Sequence, residues 1–201
     1  MDNGCFYEFS NSLAMVLSFG VARQMGASVI EKAISYSPYF QHIEKGESPI
    51  MVESDLISSL FPEFGGPLDD VPLYSQCAWA GEAYLRIQKE TGLTFEAIFL
   101  YLPLKETYRL YSLYHEMDFS QIVDHFRSLY SKASALQILL NVYKYSLKYV
   151  RERTMLSYDT LNSIKRRRRD VSKIAVSSAV ALADLFHVRV ETLAEIKAKR
   201  E

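Results

Sequence analysis

Apolar residues recur at helical spacing along most of this chain, and their periodicity predicts a protein built from α-helices. The clearest run comprises Phe119, Ile122, Val123, Phe126, Leu129 and Tyr130. No segment alternates apolar and polar residues in the manner of a strand, and no sequence typical of a hairpin turn is present. We therefore predict an all-α fold.

The boundaries of the earlier helices follow from glycine, proline and capping residues. Helices are predicted at 8–36, in a short segment ending near 46, and at 52–61, 74–90, 95–102, 119–130 and 135–145, with a proline- and glycine-rich loop at 62–72. Gly20 and Gly26 are expected to break the first segment or to mark close helix contacts. Thr94 is a predicted N-cap, Asp118 begins a capping box, and Pro103 forces a kink or a restart.

Five short helices are predicted in the last third of the chain, at 136–145, 147–153, 158–168, 176–186 and 190–196. Ser157 is a good N-cap for the middle helix, because its hydroxyl oxygen can accept a hydrogen bond from an amide one turn further on. Leu161 and Ile164 are three positions apart and would face a core. The residues expected to point outward are Tyr158, Asp159, Asn162, Lys165 and Arg166.

The net charge of −1 conceals a strong asymmetry along the chain. Residues 1–143 hold 9 Lys/Arg and 17 Asp/Glu, a balance of −8, whereas residues 144–201 hold 14 and 7, a balance of +7. Such a distribution predicts a basic module that binds a polyanion, joined to a domain of a different kind. The alternative for a charge run taken alone is a solvated face.

The remaining composition indicates an ordinary globular protein of 201 residues with 49% hydrophobic residues. Cys5 and Cys77 form no metal-ligand pattern, so we expect free thiols in a reducing compartment. The N-terminus lacks the features of a secretory signal, and no apolar stretch is long enough to cross a bilayer. We expect a cytoplasmic protein that does not associate with membranes.

Two segments of the last third resemble the lambda-repressor-like (Xre-type) helix-turn-helix family. In Thr154-Met-Leu-Ser-Tyr-Asp-Thr-Leu-Asn-Ser-Ile-Lys165, a turn ending in serine leads into what would be the recognition helix. Ala179-Val-Ala-Leu-Ala-Asp-Leu-Phe-His-Val-Arg-Val-Glu-Thr-Leu193 is similar to the end of the next helix and the start of the closing one. The resemblance covers about residues 136–197 and implies a five-helix DNA-binding domain.

Two positions differ from the usual pattern of that family. Met155 stands where the turn usually has glycine, so we expect strain or a different turn, because glycine adopts a positive φ at low cost. Arg151 stands where a small alanine is usual, and its side chain would need room between the first two helices of the motif.

The resemblance implies DNA contacts along the recognition helix and the basic segment that follows it. The predicted DNA-binding residues are Ser157, Tyr158, Asp159, Thr160, Asn162, Lys165, Arg166, Arg167, Arg168, Arg169 and Lys173. Asn162 would pair with adenine, Lys165 with guanine, and Tyr158 with phosphate or a thymine methyl. Asp159 helps only by accepting from cytosine. The arginines and Lys173 would bind backbone phosphates.

We therefore predict a helical domain at residues 1–132, which senses, dimerises or binds a partner, and a helix-turn-helix domain at 133–201. The expected function is that of a dimeric regulator, a repressor, that binds operator DNA without catalysis, metal or cofactor. One alternative is an antitoxin whose N-terminal domain neutralises a toxin. Others are a protein-only adaptor, or a small metal-dependent enzyme using His115, Asp118 and His125.

Overall fold

The computed structural model describes residues 3–64 and 74–194, and all regular secondary structure in this part of the chain is helical. It contains thirteen α-helices and no β-strand, which confirms the all-α prediction for the described residues. The chain divides into two compact units, Met1–His125 and Phe126–Glu201, which we call unit 1 and unit 2. None of the described helices combines the length and apolar character needed to cross a bilayer.

The described part of unit 1 contains seven helices and the first part of an eighth. They are α1 (Asn3–Ala22), α2 (Ala27–Tyr36), α3 (Pro38–Glu44), α4 (Glu53–Leu60), α5 (Ser75–Thr91), α6 (Phe95–Tyr101), α7 (Leu104–Tyr114) and α8 (Ser120–Lys132). The predicted loop at 62–72 begins with a 3-10 turn at Pro62–Phe64, and residues 65–72 lie outside the described residues.

Gly20 and Gly26 have the two different roles that the sequence left open. Gly26 is the N-cap of α2 and separates it from α1. Gly20 lies within α1, where the side chain of Ile30 occupies the space that a Cβ would need. The predicted single segment at 8–36 is therefore two helices in close contact.

The core of unit 1 forms where α1 packs against α5. At Gly81, an added Cβ would lie 2.9 Å from both the Ala14 backbone nitrogen and the Ser10 carbonyl oxygen. Real Cβ atoms do not approach backbone so closely, so the contact requires glycine. Leu13 and Tyr84 are fully buried on the two helices.

Two glutamates from early helices bind the N-termini of later ones. Glu44 Oε1 accepts a hydrogen bond of 2.6 Å from the Phe95 amide at the start of α6. Glu31 Oε1 accepts one of 2.6 Å from the Leu104 amide at the start of α7. Burial raises the pKa of Glu31, and the bond from Leu104 opposes that shift only in part.

The single tryptophan, Trp79, belongs to an aromatic cluster of unit 1 and is 7% exposed. Its ring stacks on Phe119 at a centroid distance of 6.4 Å and meets Tyr111 edge-on at 5.6 Å. The guanidinium of Arg86 lies 4.8 Å from the Phe119 ring centroid. These contacts link α5, α7 and the segment that precedes α8.

Unit 2 contains the second part of α8 and five further described helices. They are α9 (Ala135–Tyr143), α10 (Leu147–Thr154), α11 (Tyr158–Lys165), α12 (Val176–Phe186) and α13 (Val190–Leu193). All five begin within one residue of the predicted positions. The prediction for α11 extended to residue 168, and this was wrong by three residues. The predicted end of the last helix, at 196, lies outside the described residues.

Serine side chains next to the helices explain why these starts could be predicted. Ser134, Ser146 and Ser157 are the N-caps of α9, α10 and α11. Each hydroxyl oxygen accepts a 3.1 Å hydrogen bond from the amide three positions later. Such a bond satisfies one of the amides that a helix start leaves unpaired.

Candidate nucleic-acid interface

Helices α10 and α11 are joined by the three residues 155–157, the length of connection found in helix-turn-helix motifs. The first of them, Met155, has φ 57° and ψ 11°, and its amide donates to the Arg151 carbonyl at 3.0 Å. The predicted strain at Met155 is thus present as a left-handed backbone. Its side chain is 91% exposed, so packing does not compensate for the strain.

The inner face of α11 is apolar and buried, as the spacing of its residues predicts. Leu161 is 0% exposed and Ile164 is 4% exposed. Leu156, in the turn before α11, is also buried. Helix α11 packs against both α9 and α10, with Val150 as a buried position of α10. These contacts fix which face of α11 remains open.

The predicted DNA-binding residues lie on the open part of α11 and in the segment after it. Those that are exposed are Ser157, Tyr158, Asp159, Arg166, Arg167, Arg168, Arg169 and Lys173. Thr160, Asn162 and Lys165 are half-buried. The first turn of α11 is therefore its most accessible part. Less of the surface of its second half is exposed, because α11 packs against α9 and α10.

The end of α11 differs from the predicted continuous helix through the arginines. The Arg168 amide donates to the Ser163 carbonyl at 2.8 Å, and the Arg167 amide donates to the Ile164 carbonyl at 2.9 Å. With Arg167 at φ 56°, these bonds form a Schellman motif that ends the helix at Lys165. Arginine favours helices, so the local sequence alone did not indicate this end.

Contacts from the start of α9 hold the end of α11 in place. The Ser134 hydroxyl, which also caps α9, donates to the Lys165 carbonyl at 2.9 Å. Arg167 Nη2 donates to the Ala133 carbonyl at 2.6 Å, and its guanidinium carbon lies 4.6 Å from the Tyr130 ring centroid. Sequence reasoning missed this set, although Ser134 before an apolar run is itself an N-cap signal.

The other arginines of the run have different surroundings. Arg169 Nη1 donates to Thr160 Oγ1 at 3.3 Å, so this side chain lies against the first turn of α11. The side chains of Arg166, Arg168 and Lys173 make no hydrogen bond or ion pair with any described residue. Four adjacent arginines thus fall into distinct environments.

Arg151 does not occupy the space between helices that its position in the family pattern suggested. Its side chain is exposed, as are those of Lys148 and Arg153 on the same helix. The guanidinium of Arg153 lies 5.4 Å from the Tyr149 ring centroid. Helix α10 therefore adds to the positive charge of unit 2 without displacing its neighbours.

The side chains proposed for a metal-dependent enzyme do not converge. Asp118 Oδ1 accepts the Ser120 amide at 2.8 Å, and bonds from the Ser120 hydroxyl and amide lower the pKa of Asp118. His115 Nδ1 lies 2.9 Å from the Tyr111 carbonyl, and His125 Nδ1 lies 3.5 Å from the Tyr114 hydroxyl. In residues 3–64 and 74–194, no three His, Cys, Asp or Glu side chains are arranged to hold a metal ion.

Comparisons with known proteins add no relative to this description. No protein-family model, no curated protein and no solved structure matches the chain.

Proposed function

We propose that this chain is a sequence-specific regulator of transcription that binds operator DNA as a dimer through α11. The observation that carries the proposal is a short helix, capped by Ser157 and seated on Leu161 and Ile164, that follows a three-residue turn and leaves its first turn open. A helix of this kind fits the major groove of DNA, which is wide enough to admit it. Repression by occlusion of a promoter requires no chemistry and no cofactor.

The charge of unit 2 supports DNA as the partner. Residues 126–201 hold 16 Lys/Arg and 7 Asp/Glu, a balance of +9, whereas residues 1–125 hold 7 and 17, a balance of −10. Three of the cations that follow α11, Arg166, Arg168 and Lys173, are exposed and make no side-chain hydrogen bond or ion pair with the described residues. Cations in this state can replace the counterions of a phosphate backbone.

The length of α11 supports a dimer. Its eight residues span about 12 Å at the usual helical rise, which limits one copy to a few base pairs. Two copies on adjacent half-sites, about 34 Å apart, would double the contacts and read a palindrome. Sedimentation of the chain on a selected duplex should give two chains per duplex.

A titration against DNA tests the proposal. Fluorescence anisotropy with a random duplex at about 50 and 200 mM salt should show affinity that falls steeply with salt. The double variant Arg166→Ala/Arg168→Ala should reduce the slope of log affinity against log salt by about 2. The control Lys32→Ala/Lys105→Ala removes the same charge from exposed positions of unit 1 and should leave the slope unchanged.

The result of this titration distinguishes a DNA-binding regulator from a protein-only adaptor. Absence of wild-type binding at low salt would contradict DNA binding and favour a protein-only adaptor. Binding that both double variants weaken equally would indicate non-specific charge attraction instead of a site at α11. Selection from a random pool then tests base reading, since Asn162→Ala should change the preferred sequence if this side chain contacts adenine.

A second candidate function, that of an antitoxin, is favoured by exposed apolar side chains in unit 1. Ile50 is 100% exposed, and the adjoining Met51 and Val52 are exposed as well. Apolar residues in contiguous exposure are typical of a surface that binds protein. Co-purification with the product of a neighbouring gene, lost in Ile50→Asp, would favour this function alongside DNA binding.

A further inference from the structure

We infer that three of the arginines after α11 have two different roles: Arg167 positions α11 within unit 2, while Arg166 and Arg168 bind DNA phosphates. The phosphate part of this inference rests on the proposed DNA binding. The positioning part rests on contacts within unit 2 alone.

Arg167 completes a pair of hydrogen bonds that run in opposite directions between the end of α11 and the residues before α9. Ser134 donates to the carbonyl of Lys165, and Arg167 donates to the carbonyl of Ala133. Two adjacent residues before α9 are therefore joined to two positions at the end of α11. Leu161 and Ile164 already seat α11 on its neighbours, and these two bonds restrict its end further than one bond would.

Two contacts hold the Arg167 guanidinium. It lies over the Tyr130 ring at 4.6 Å while Nη2 makes the 2.6 Å bond to Ala133. A charged donor on a carbonyl is among the stronger hydrogen bonds, and the ring contact adds a second attraction. The carbonyl and the ring are neutral and leave the charge in place, but together they hold the guanidinium beside Tyr130 and Ala133. To extend outward to a phosphate from this position, the side chain would have to leave both.

Arg166 and Arg168 make no such contact with the described residues. Both side chains are exposed, and neither has a hydrogen bond or ion pair among the described residues. The Schellman motif places Arg167 differently from its two neighbours, because the left-handed backbone at Arg167 turns the chain between Arg166 and Arg168. Adjacent residues of identical chemistry thus differ only in where the backbone directs them.

The consequence for recognition is that base reading and phosphate attraction depend on different arginines. Loss of a phosphate contact weakens binding to all sequences and lowers its salt dependence. Loss of the positioning contact leaves the phosphate contacts available but allows α11 to rotate in the groove. The preference for the correct sequence should then fall without a change in the salt slope.

Three variants that remove the same charge test this division: Arg166→Ala, Arg167→Ala and Arg168→Ala. Arg166→Ala and Arg168→Ala should each lower the salt slope by about 0.9 on a random duplex, whereas Arg167→Ala should leave it unchanged. At a temperature where it is fully folded, Arg167→Ala should lose about tenfold of the preference for a selected duplex over a random one. Arginine and alanine are both non-glycine residues, so the left-handed backbone costs each of them similarly.

Thermal unfolding supplies a readout that does not depend on DNA. Arg167→Ala should lower Tm by about 2–6 °C, and Arg166→Ala and Arg168→Ala by less than about 1 °C. Tyr130→Leu removes the ring from the same contact and should reproduce both the lower Tm and the lost sequence preference. Arg167→Lys keeps a cation over the ring and should recover part of both.

Equal Tm and equal salt slopes for all three alanine variants would overturn the inference, as would a normal sequence preference in Tyr130→Leu. If the wild-type chain fails to bind DNA, the proposed function fails. The difference in Tm between Arg167→Ala and Arg166→Ala then still decides whether Arg167 positions α11.

Discussion

Unit 1 has distant glutamates at the starts of two of its helices, whereas unit 2 has neighbouring serines at the starts of three. In unit 1, α6 and α7 receive carboxylates from Glu44 and Glu31, which precede the bonded amides by 51 and 73 positions. In unit 2, the hydroxyls of Ser134, Ser146 and Ser157 bind amides three positions later. The starts of α9, α10 and α11 are thus encoded locally, whereas α7 depends on a residue that only the folded chain brings near.

The two units also differ in how they use glycine. All eight glycines and all six prolines of the chain lie within residues 1–103, and residues 126–201 contain none. Unit 1 uses Gly81 for backbone contact and Gly92 for the left-handed end of α5. Unit 2 has a left-handed backbone at four non-glycine residues, Lys144, Met155, Arg167 and His187, whereas the described part of unit 1 has one, Gln24. It therefore contains more conformational strain than unit 1 in its helix ends.

The largest effect is expected at the helix contact of unit 1. Gly81→Ala should lower the free energy of unfolding by about 2–3 kcal/mol, because the new methyl group meets backbone atoms of α1 that cannot rotate away. Gly26→Ala is the control, since a Cβ there meets nothing within 4 Å. Chemical denaturation monitored by circular dichroism would measure both. Equal effects would show that glycine is not required at the α1–α5 contact.

The local caps of unit 2 provide the next test. Ser134→Ala should lower the free energy of unfolding by about 2 kcal/mol, because it removes the α9 cap and the donor to Lys165 together. Ser146→Ala removes a cap whose hydroxyl bonds to no other described residue, and it should cost about 1 kcal/mol. If the two variants have the same midpoint of denaturation, the bond to Lys165 contributes no stability.

Strain at the turn between α10 and α11 should be relieved by glycine. Met155→Gly should raise the free energy of unfolding by about 0.5–1 kcal/mol. Glycine removes the steric cost of the left-handed backbone, and its greater conformational entropy in the unfolded chain offsets part of that gain. Met155→Ala keeps the strain and loses little packing, since the side chain is 91% exposed, and should be close to neutral. A shift in Tm shared by both variants would point to the side chain instead of the backbone.

The smallest effect is expected in the pH dependence of stability that the Glu31 carboxylate causes at the start of α7. Burial raises the pKa of Glu31 in the folded state above the ordinary glutamate pKa near 4.5. Ionisation of Glu31 therefore opposes folding as the pH rises above 4.5. Glu31→Gln keeps an acceptor for Leu104, so its stability relative to wild type should increase between about pH 4 and 7, by less than about 1 kcal/mol.

A control of opposite sign is available in the same unit. Bonds from Ser120 lower the pKa of Asp118, so ionised Asp118 favours the folded state. Asp118→Asn should therefore lose stability relative to wild type as the pH rises to the ordinary pKa near 3.8, and the difference should level off above about pH 5. Parallel pH profiles for Glu31→Gln and Asp118→Asn would contradict the assigned directions.

Features of the fold that depend on neighbouring residues could be predicted from the sequence. Ser157 capping α11, Leu161 and Ile164 facing inward, and Thr94 capping α6 all involve residues within one turn of each other. The helical period and the capping residues contain this information directly.

Features that depend on distant contacts could not be predicted in this way. The end of α11 is held by bonds to residues 133 and 134, more than thirty positions earlier, and arginine itself favours continuation of a helix. The four arginines also looked equivalent until their partners were known. Conversely, His115, Asp118 and His125 are close in sequence, yet each has a separate local partner.

Trp79 gives this molecule an optical label confined to one half of the chain. It is the only tryptophan, and it lies among Phe119 and Tyr111. Selective excitation of the indole therefore follows the melting of residues 1–125, while far-ultraviolet ellipticity follows every helix at once. Coincident transitions from the two signals would mean that the whole chain melts as one cooperative block, and separate transitions would assign a melting temperature to each half.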